Sequence, residues 1–234
     1  MTNAPAEPDR RNTRTPGASA AHRGVRRQKA LETRWRIMDA ALAEFTEHGY
    51  HDTTMTAIAD RAGVSVQTVY LGFRTKGGLL EELVGNAVLG RTRDGEIGRP
   101  DETEAFSRAL EEPDGVQALE LWVDAALPVY ARTSAISDVG RAAYMSDSYI
   151  AEWWVRSEAL RLDGCVRVVR SLAEHGQLRA GLSVEEGADI LATTLSPQSF
   201  LAFTIDRGWT VDHLGEWLKH ALPRLLLETG HWSE

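Results

Sequence analysis

Residues Gly63 to Lys76 read GVSVQTVYLGFRTK, with small, hydroxyl, aromatic and basic side chains packed into fourteen positions. Alone they fit two readings, an amphipathic helix that only packs and a helix whose outer face meets DNA. The flanks bear on the choice. Upstream, Leu31, Trp35, Met38, Leu42 and Phe45 recur at helical spacing, and His48-Gly49 supplies a helix stop. Thr54 can cap a short second helix that turns Ile58 and Ala59 inward. Arg61-Ala62-Gly63-Val64 then makes a tight turn in which Gly63 tolerates a positive φ, and Ser65 can cap a third helix from Val66 to about Gly72. Thr75 can cap a fourth, with the apolar stripe Leu79, Leu80, Leu83, Val84, Ala87 and Val88.

Further out the chain changes character. Residues 1–28, rich in Pro, Ala, Thr, Gly and Arg, have no hydrophobic period and are expected to be a disordered basic tail. Such a tail is either a solvated terminus or an arm on DNA phosphates or a minor groove. Residues 90–115 are polar, rich in Gly and acids, and read as a connector holding at most a short helix near 104–110. Helical segments follow at 116–132, 134–146 and 149–175, the last closed by Gly176. Two more start at Ser183, with Glu186 in a capping-box relation, and at Thr210. No run alternates with period two for long enough to suggest a sheet, so the expected class is all-α.

The 234 residues are 43% hydrophobic and 26% charged, as in a soluble globular protein. No apolar run approaches the roughly 20 residues of a membrane span. The Arg-rich N-terminus lacks the apolar core of a secretory signal, so a cytoplasmic protein with no membrane partner is expected. The net charge of −8 is unevenly spread: residues 1–30 carry seven Lys/Arg against Glu7 and Asp9, a local +5, which leaves −13 downstream. The single Cys165 excludes an intrachain disulfide and reads as a small core residue. His213 and His220 share a helical face, but no third ligand joins them at metal-binding spacing. There is no Gly-rich phosphate loop, Ser-His-Asp signature or paired-acid motif, so neither an enzyme nor a cofactor is expected.

The stretch TTMTAIADRAGVSVQTVYLGFRTKGGLLEEL, residues 53–83, resembles the DNA-binding region of the TetR family of bacterial transcriptional regulators. The resemblance lies in Thr54, Ile58-Ala59, Ala62-Gly63-Val64-Ser65, Thr68, Tyr70, Phe73, Lys76 and Leu79-Leu80, preceded by Phe45 and Gly49 in the first helix. It implies a three-helix helix-turn-helix head followed by a C-terminal helical ligand-binding and dimerisation domain. The division that follows is 29–76 for the head, 77–95 for a linking helix and 96–234 for the body. It also implies a homodimer that binds double-stranded operator DNA and a small-molecule effector. The departures from the pattern are Gln67, Gly72 and Gly77-Gly78. If the paired glycines lie inside the fourth helix, its first turn should be soft.

In a helix-turn-helix the second helix lies in the major groove and its first turn meets base edges. That geometry turns Val66, Gln67 and Leu71 toward bases, Gln67 able to make paired hydrogen bonds to adenine and Val66 to pack on a thymine methyl. Thr56 is a base or phosphate contact. Thr54, Ser65, Thr68, Tyr70, Arg74 and Lys76 suit phosphates, although Thr54 and Ser65 can serve only as caps and Tyr70 mainly as core. In the body, Trp122, Tyr130, Tyr144, Trp153 and Phe203 are nominated as cavity lining, against the plainer reading that aromatics pack the core. Leu191, Leu195, Leu201, Leu214, Trp217, Leu218 and Leu222 are nominated for a four-helix dimer seam. The resulting expectation is a ligand-responsive transcriptional regulator, a repressor released from its operator by a hydrophobic or amphipathic effector. A helical enzyme on a hydrophobic substrate and a protein–protein adaptor with a degenerate head are the alternatives.

Overall fold

The computed structural model describes residues 16–89 and 103–228. They form α1 (Pro16–Asp52), α2 (Met55–Ala62), α3 (Val66–Phe73), α4 (Lys76–Leu89), α5 (Glu104–Glu111), α6 (Gly115–Ala143), α7 (Ser148–Glu174), α8 (Val184–Thr194), α9 (Pro197–Leu201) and α10 (Val211–Leu226). A five-residue π-helical turn, Ala202–Asp206, continues α9. The described residues hold no β-strand, only an isolated bridge between Leu178 and Leu227. No helix among them is long and apolar enough to cross a membrane.

Local chemistry sets most of the boundaries. Thr54, Ser65, Ser183 and Thr210 each accept a backbone N–H of the first turn that follows, and Ser183 and Glu186 complete a reciprocal capping box. Two expectations need correction. Residues 16–28 are helical and open α1, although residues 24–30 are exposed; residues 1–15 of the expected tail lie outside the described residues. The segments 116–132 and 134–146 are one 29-residue helix, α6, despite Pro128 inside it. Pro128 removes one backbone donor, but the flanking turns are held by burial: Leu119, Val123 and Leu127 in one core, Ile136 and Ala143 in another. Of the expected connector, 90–102 falls outside the described residues and the short helix α5 is present.

At 1.5 Å per residue, α6 is about 43 Å long and bridges both cores. Its first half packs with α7, α8 and α10 around Leu119, Leu191, Leu214 and Leu222. Its second half joins Phe45, Ile58, Val69, Leu79 and Leu80 of the first four helices, together with Ile150 and Trp153 of α7. α4 therefore packs within the core of the first three helices, and that core continues into the body.

Candidate nucleic-acid interface and ligand cavity

The turn between α2 and α3 rests on Gly63, at φ 64°, a left-handed conformation in which its N–H reaches the carbonyls of Ala59 and Asp60. α3 buries Val69 and Phe73. Val66, Gln67, Tyr70, Leu71 and Arg74 are exposed, Leu71 at 81%, and their spacing places them on one outer face. Ser65 accepts from the Thr68 backbone N–H at 3.2 Å, and the two hydroxyls lie 2.8 Å apart. Thr54 accepts from Ala57 N–H at 3.0 Å. Both caps, and Thr56, remain exposed.

Lys76 differs from its expected place among the phosphate contacts. Its Nζ donates to the carbonyls of Tyr50 (2.6 Å), Thr53 (2.8 Å) and His51 (3.3 Å) and lies 4.3 Å from the centre of the Tyr50 ring. Burial draws this ammonium below its ordinary pKa, while Asp147 and Asp52 hold it up. Three carbonyls beyond the non-helical Gly49, two in the last turn of α1 and one just after it, thus take all three of its donors. Sequence reading also missed Arg34, 48 positions before its partner Glu82. Its guanidinium pairs with Glu82 on α4, donates to the Gly72 carbonyl at 3.1 Å and stacks 4.3 Å over Phe73. One cation therefore ties the end of α3 to α1 and α4.

Between α3 and α4 the chain makes a γ-turn. Arg74 has φ 57° and ψ −51°, and Thr75 N–H reaches the Phe73 carbonyl at 2.5 Å. A non-glycine residue there carries strain, on the order of 1 kcal/mol or more. Arg74→Gly is expected to stabilise the chain by about 1 kcal/mol in urea denaturation while removing an exposed cation from the α3 face. A lower denaturation midpoint would show that the Arg74 side chain holds the turn.

A cavity of about 360 Å³ lies where α4, α6 and α7 meet, with Phe106 of α5 and Pro197 of α9 also lining it. Two reciprocal contacts shape it. Trp122 of α6 lies over Gly164 of α7, where an added Cβ would be 3.3 Å from the indole. Trp153 of α7 lies over Gly140 of α6, where a Cβ would be 2.9 Å away. Each glycine admits a tryptophan from the other helix, and both indoles face the space between. Tyr130 also lines the cavity. Tyr144 and Phe203 do not: Tyr144 is 37% exposed, and Phe203 packs against Trp209 and Trp217 at ring separations of 4.8 and 5.1 Å. An aromatic side chain's identity does not tell which way its helix turns it. Trp154, Ser137, Glu158 and Arg161 also line it, though none of them was nominated.

The charged lining is internally paired. Arg161 donates to Glu158 at 2.8 Å and to the Ala192 carbonyl at 2.8 Å. Burial works against its charge, but Glu158 and Tyr130 outweigh it and the net shift is upward. On α4, Glu81 accepts from the Tyr149 hydroxyl and pairs with Arg156 at 3.7 Å. Tyr130 donates to the Leu195 carbonyl at 3.1 Å, and burial pushes its phenol pKa up. Burial likewise pushes the Cys165 thiol up to about 11, so it stays a neutral thiol near pH 7. Among the described residues no cluster of three metal-ligating side chains occurs.

Residues 37–83, which span α1 to α4, match the profile of the bacterial regulatory proteins of the tetR family. Over that stretch, about a fifth of the chain, it is similar to the TetR family. An uncharacterized HTH-type transcriptional regulator of Bacillus subtilis, YdgC, is 34% identical over 58 residues, 25% of this chain and 30% of that protein. The probable acrEF/envCD operon repressor of Escherichia coli K12 is 38% identical over 55 residues, 24% of this chain and 25% of that protein. These matches span less than a third of either relative. The solved SmeT–triclosan complex is 23% identical with a TM-score of 0.67, covering 86% of this chain and 95% of that one, a likeness of fold.

The TetR-like head meets the body through glycine. Gly77 and Gly78 both lie in the first turn of α4, yet a Cβ on Gly77 would sit 2.8 Å from the Tyr149 ring of α7. The residue has a packing reason, a close approach of α7 that also brings Tyr50 Oη 2.6 Å from Asp147. The nominated seam is corrected too. Leu191, Leu195, Leu214, Leu218 and Leu222 are 0–3% exposed and fill the chain's own core against α6. The strong apolar faces of α8 and α10 are consumed within the protomer. Among the described residues Trp217 stays 37% exposed, in an aromatic group with Phe203, Trp209 and His213, while Leu201 is half-buried and Ile205 and Leu225 are 73% and 37% exposed.

Proposed function

We propose that this chain is a TetR-family regulator, a ligand-responsive, sequence-specific DNA-binding protein that controls transcription. It acts in the cytoplasm as a homodimeric repressor that leaves double-stranded operator DNA when a hydrophobic or amphipathic effector fills the cavity. The observation that carries the reading is the double role of α4. It begins two residues after α3, it is tied to the α3 end through Arg34, and Glu81, Val84, Gly85 and Val88 on it form one wall of the cavity. An occupant that prefers a displaced α4 changes where α3 sits, and DNA affinity falls by that differential affinity. Two α3 helices of a dimer must lie about 34 to 36 Å apart to enter successive major grooves, so a small rotation suffices. The aromatic lining supports an apolar effector, and the neighbour of like fold was solved with triclosan.

In this reading Gln67 and Val66 meet bases with Leu71, while Tyr70, Arg74, Thr54, Thr56, Ser65 and Thr68 meet phosphates. Mobility shift of genomic fragments at graded salt tests it. Affinity is expected to fall about 10³-fold or more between 50 and 200 mM salt. Gln67→Ala is expected to relax preference at one base step by about 1–3 kcal/mol, and Tyr70→Phe to weaken all sequences alike. No sequence-specific shift at any salt would sink the regulator reading in favour of an adaptor. Turnover of a hydrophobic compound by a chain that ignores DNA would favour an enzyme.

A further inference from the structure

Once the pairs within the cavity wall are set aside, the polar side chains that remain can all donate: the indoles of Trp122, Trp153 and Trp154, which only donate, and the hydroxyls of Ser137 and Ser157, which also accept. Glu158 is taken by Arg161, Glu81 by Tyr149 and Arg156, Tyr130 by the Leu195 carbonyl, and Thr133 donates to the Val129 carbonyl at 2.9 Å. The indole N–H groups of Trp122 and Trp153 and the hydroxyl of Ser137 have no hydrogen-bond partner among the described residues, although these residues are only 5%, 6% and 7% exposed. An indole N–H can only donate. Trp153 presses its benzo edge, Cζ3 and Cη2, onto Gly140, so its N–H edge lies on the other side of the ring system, away from that contact. Buried donors left unpaired are costly, and an occupant that displaces water without supplying an acceptor leaves them so.

We infer that the cavity selects an uncharged, flat aromatic or polycyclic molecule carrying an acceptor oxygen such as a carbonyl, held by Trp153, Trp122 and Ser137. The inference rests on the reading of the cavity as the effector site and adds the chemical class. A formal charge on the ligand finds no unpaired counter-charge, because each carboxylate in the wall already faces an arginine. The tryptophan faces suit a planar ring system, and the volume of about 360 Å³ is that of a small-molecule site.

The probes are 9-fluorenone and fluorene, equal in plane and differing by one carbonyl oxygen, together with a fluorene bearing a trimethylammonium group. Each is titrated calorimetrically into the full-length chain and into Trp153→Phe, Ser137→Ala and the double variant, with melting curves to verify folding. Fluorenone is expected to bind the unaltered chain roughly two- to tenfold more tightly than fluorene for each donor it engages. Trp153→Phe, which keeps a ring and removes the N–H, and Ser137→Ala should each shrink that ratio, and the double variant should leave only the share that the Trp122 N–H supplies, with little change for fluorene. Equal binding of ketone and hydrocarbon, tighter binding of the ammonium compound, or a ratio that the double variant leaves unchanged would overturn the acceptor rule while leaving the cavity an apolar site. Binding of none of the three would overturn the rule together with the effector reading.

Discussion

Trp217→Glu is expected to leave the chain folded but monomeric in sedimentation at micromolar concentration, and to weaken operator binding by about 10² to 10⁴-fold. Trp217 is 37% exposed on α10 and joined to Phe203 and Trp209 at 5.1 and 6.0 Å, so its outward edge belongs to an apolar patch that the protomer leaves open. At the seam of the proposed homodimer a carboxylate there would be buried in an apolar patch. Losing the partner removes one of two linked heads, and the second binding event ceases to be intramolecular. The control is Leu222→Ala. Leu222 is fully buried, and its truncation should cost about 2–5 kcal/mol of protomer stability by leaving a cavity. A Trp217→Glu chain that sediments as a dimer would place the seam elsewhere, and dissociation on Leu222→Ala with an unchanged denaturation midpoint would restore the leucine seam.

The reversal at the seam marks a limit of pattern reading. Periodicity shows that Leu214, Leu218 and Leu222 share an apolar face, but no sequence feature says whether that face meets α6 of the same chain or a second copy. The same limit separates Trp122, Tyr130 and Trp153, which line the cavity, from Tyr144 and Phe203, which do not. Features set by contacts within four residues were legible. The caps at Thr54, Ser65, Thr75, Ser183 and Thr210 and the positive φ of Gly63 are local chemistry, and so were the starts of α2, α3, α8 and α10. What escaped depends on distant partners. Arg34 finds Glu82, Gly77 finds Tyr149, and α6 runs through Pro128 because two cores lie along its length. The apolar stripe of α4 was readable, whereas its glycines looked like weak points until α7 supplied the ring they admit.

Lys76→Met provides the sharpest separation between a residue that holds the head and one that touches DNA. Methionine keeps an unbranched chain near the Tyr50 ring but removes the ammonium, leaving the carbonyls of Tyr50, His51 and Thr53 without their shared donor. Charge-assisted hydrogen bonds are individually worth about 1.5–3 kcal/mol. Partial solvent access and the burial cost already visible in the lowered pKa reduce the total, so a loss of about 2 kcal/mol is expected. In a chain of this size that lowers the melting temperature by about 4–8 °C. Lys76→Arg should rescue it poorly, because a planar fork cannot converge on three carbonyls as a rotating ammonium does. DNA affinity should fall with the head's stability, while the slope of its salt dependence changes little. A phosphate contact behaves oppositely: the slope would drop by about one per head and the melting temperature would stay where it was. That second pattern would return Lys76 to the DNA-contacting set and reduce the carbonyl clamp to a feature of the free protein.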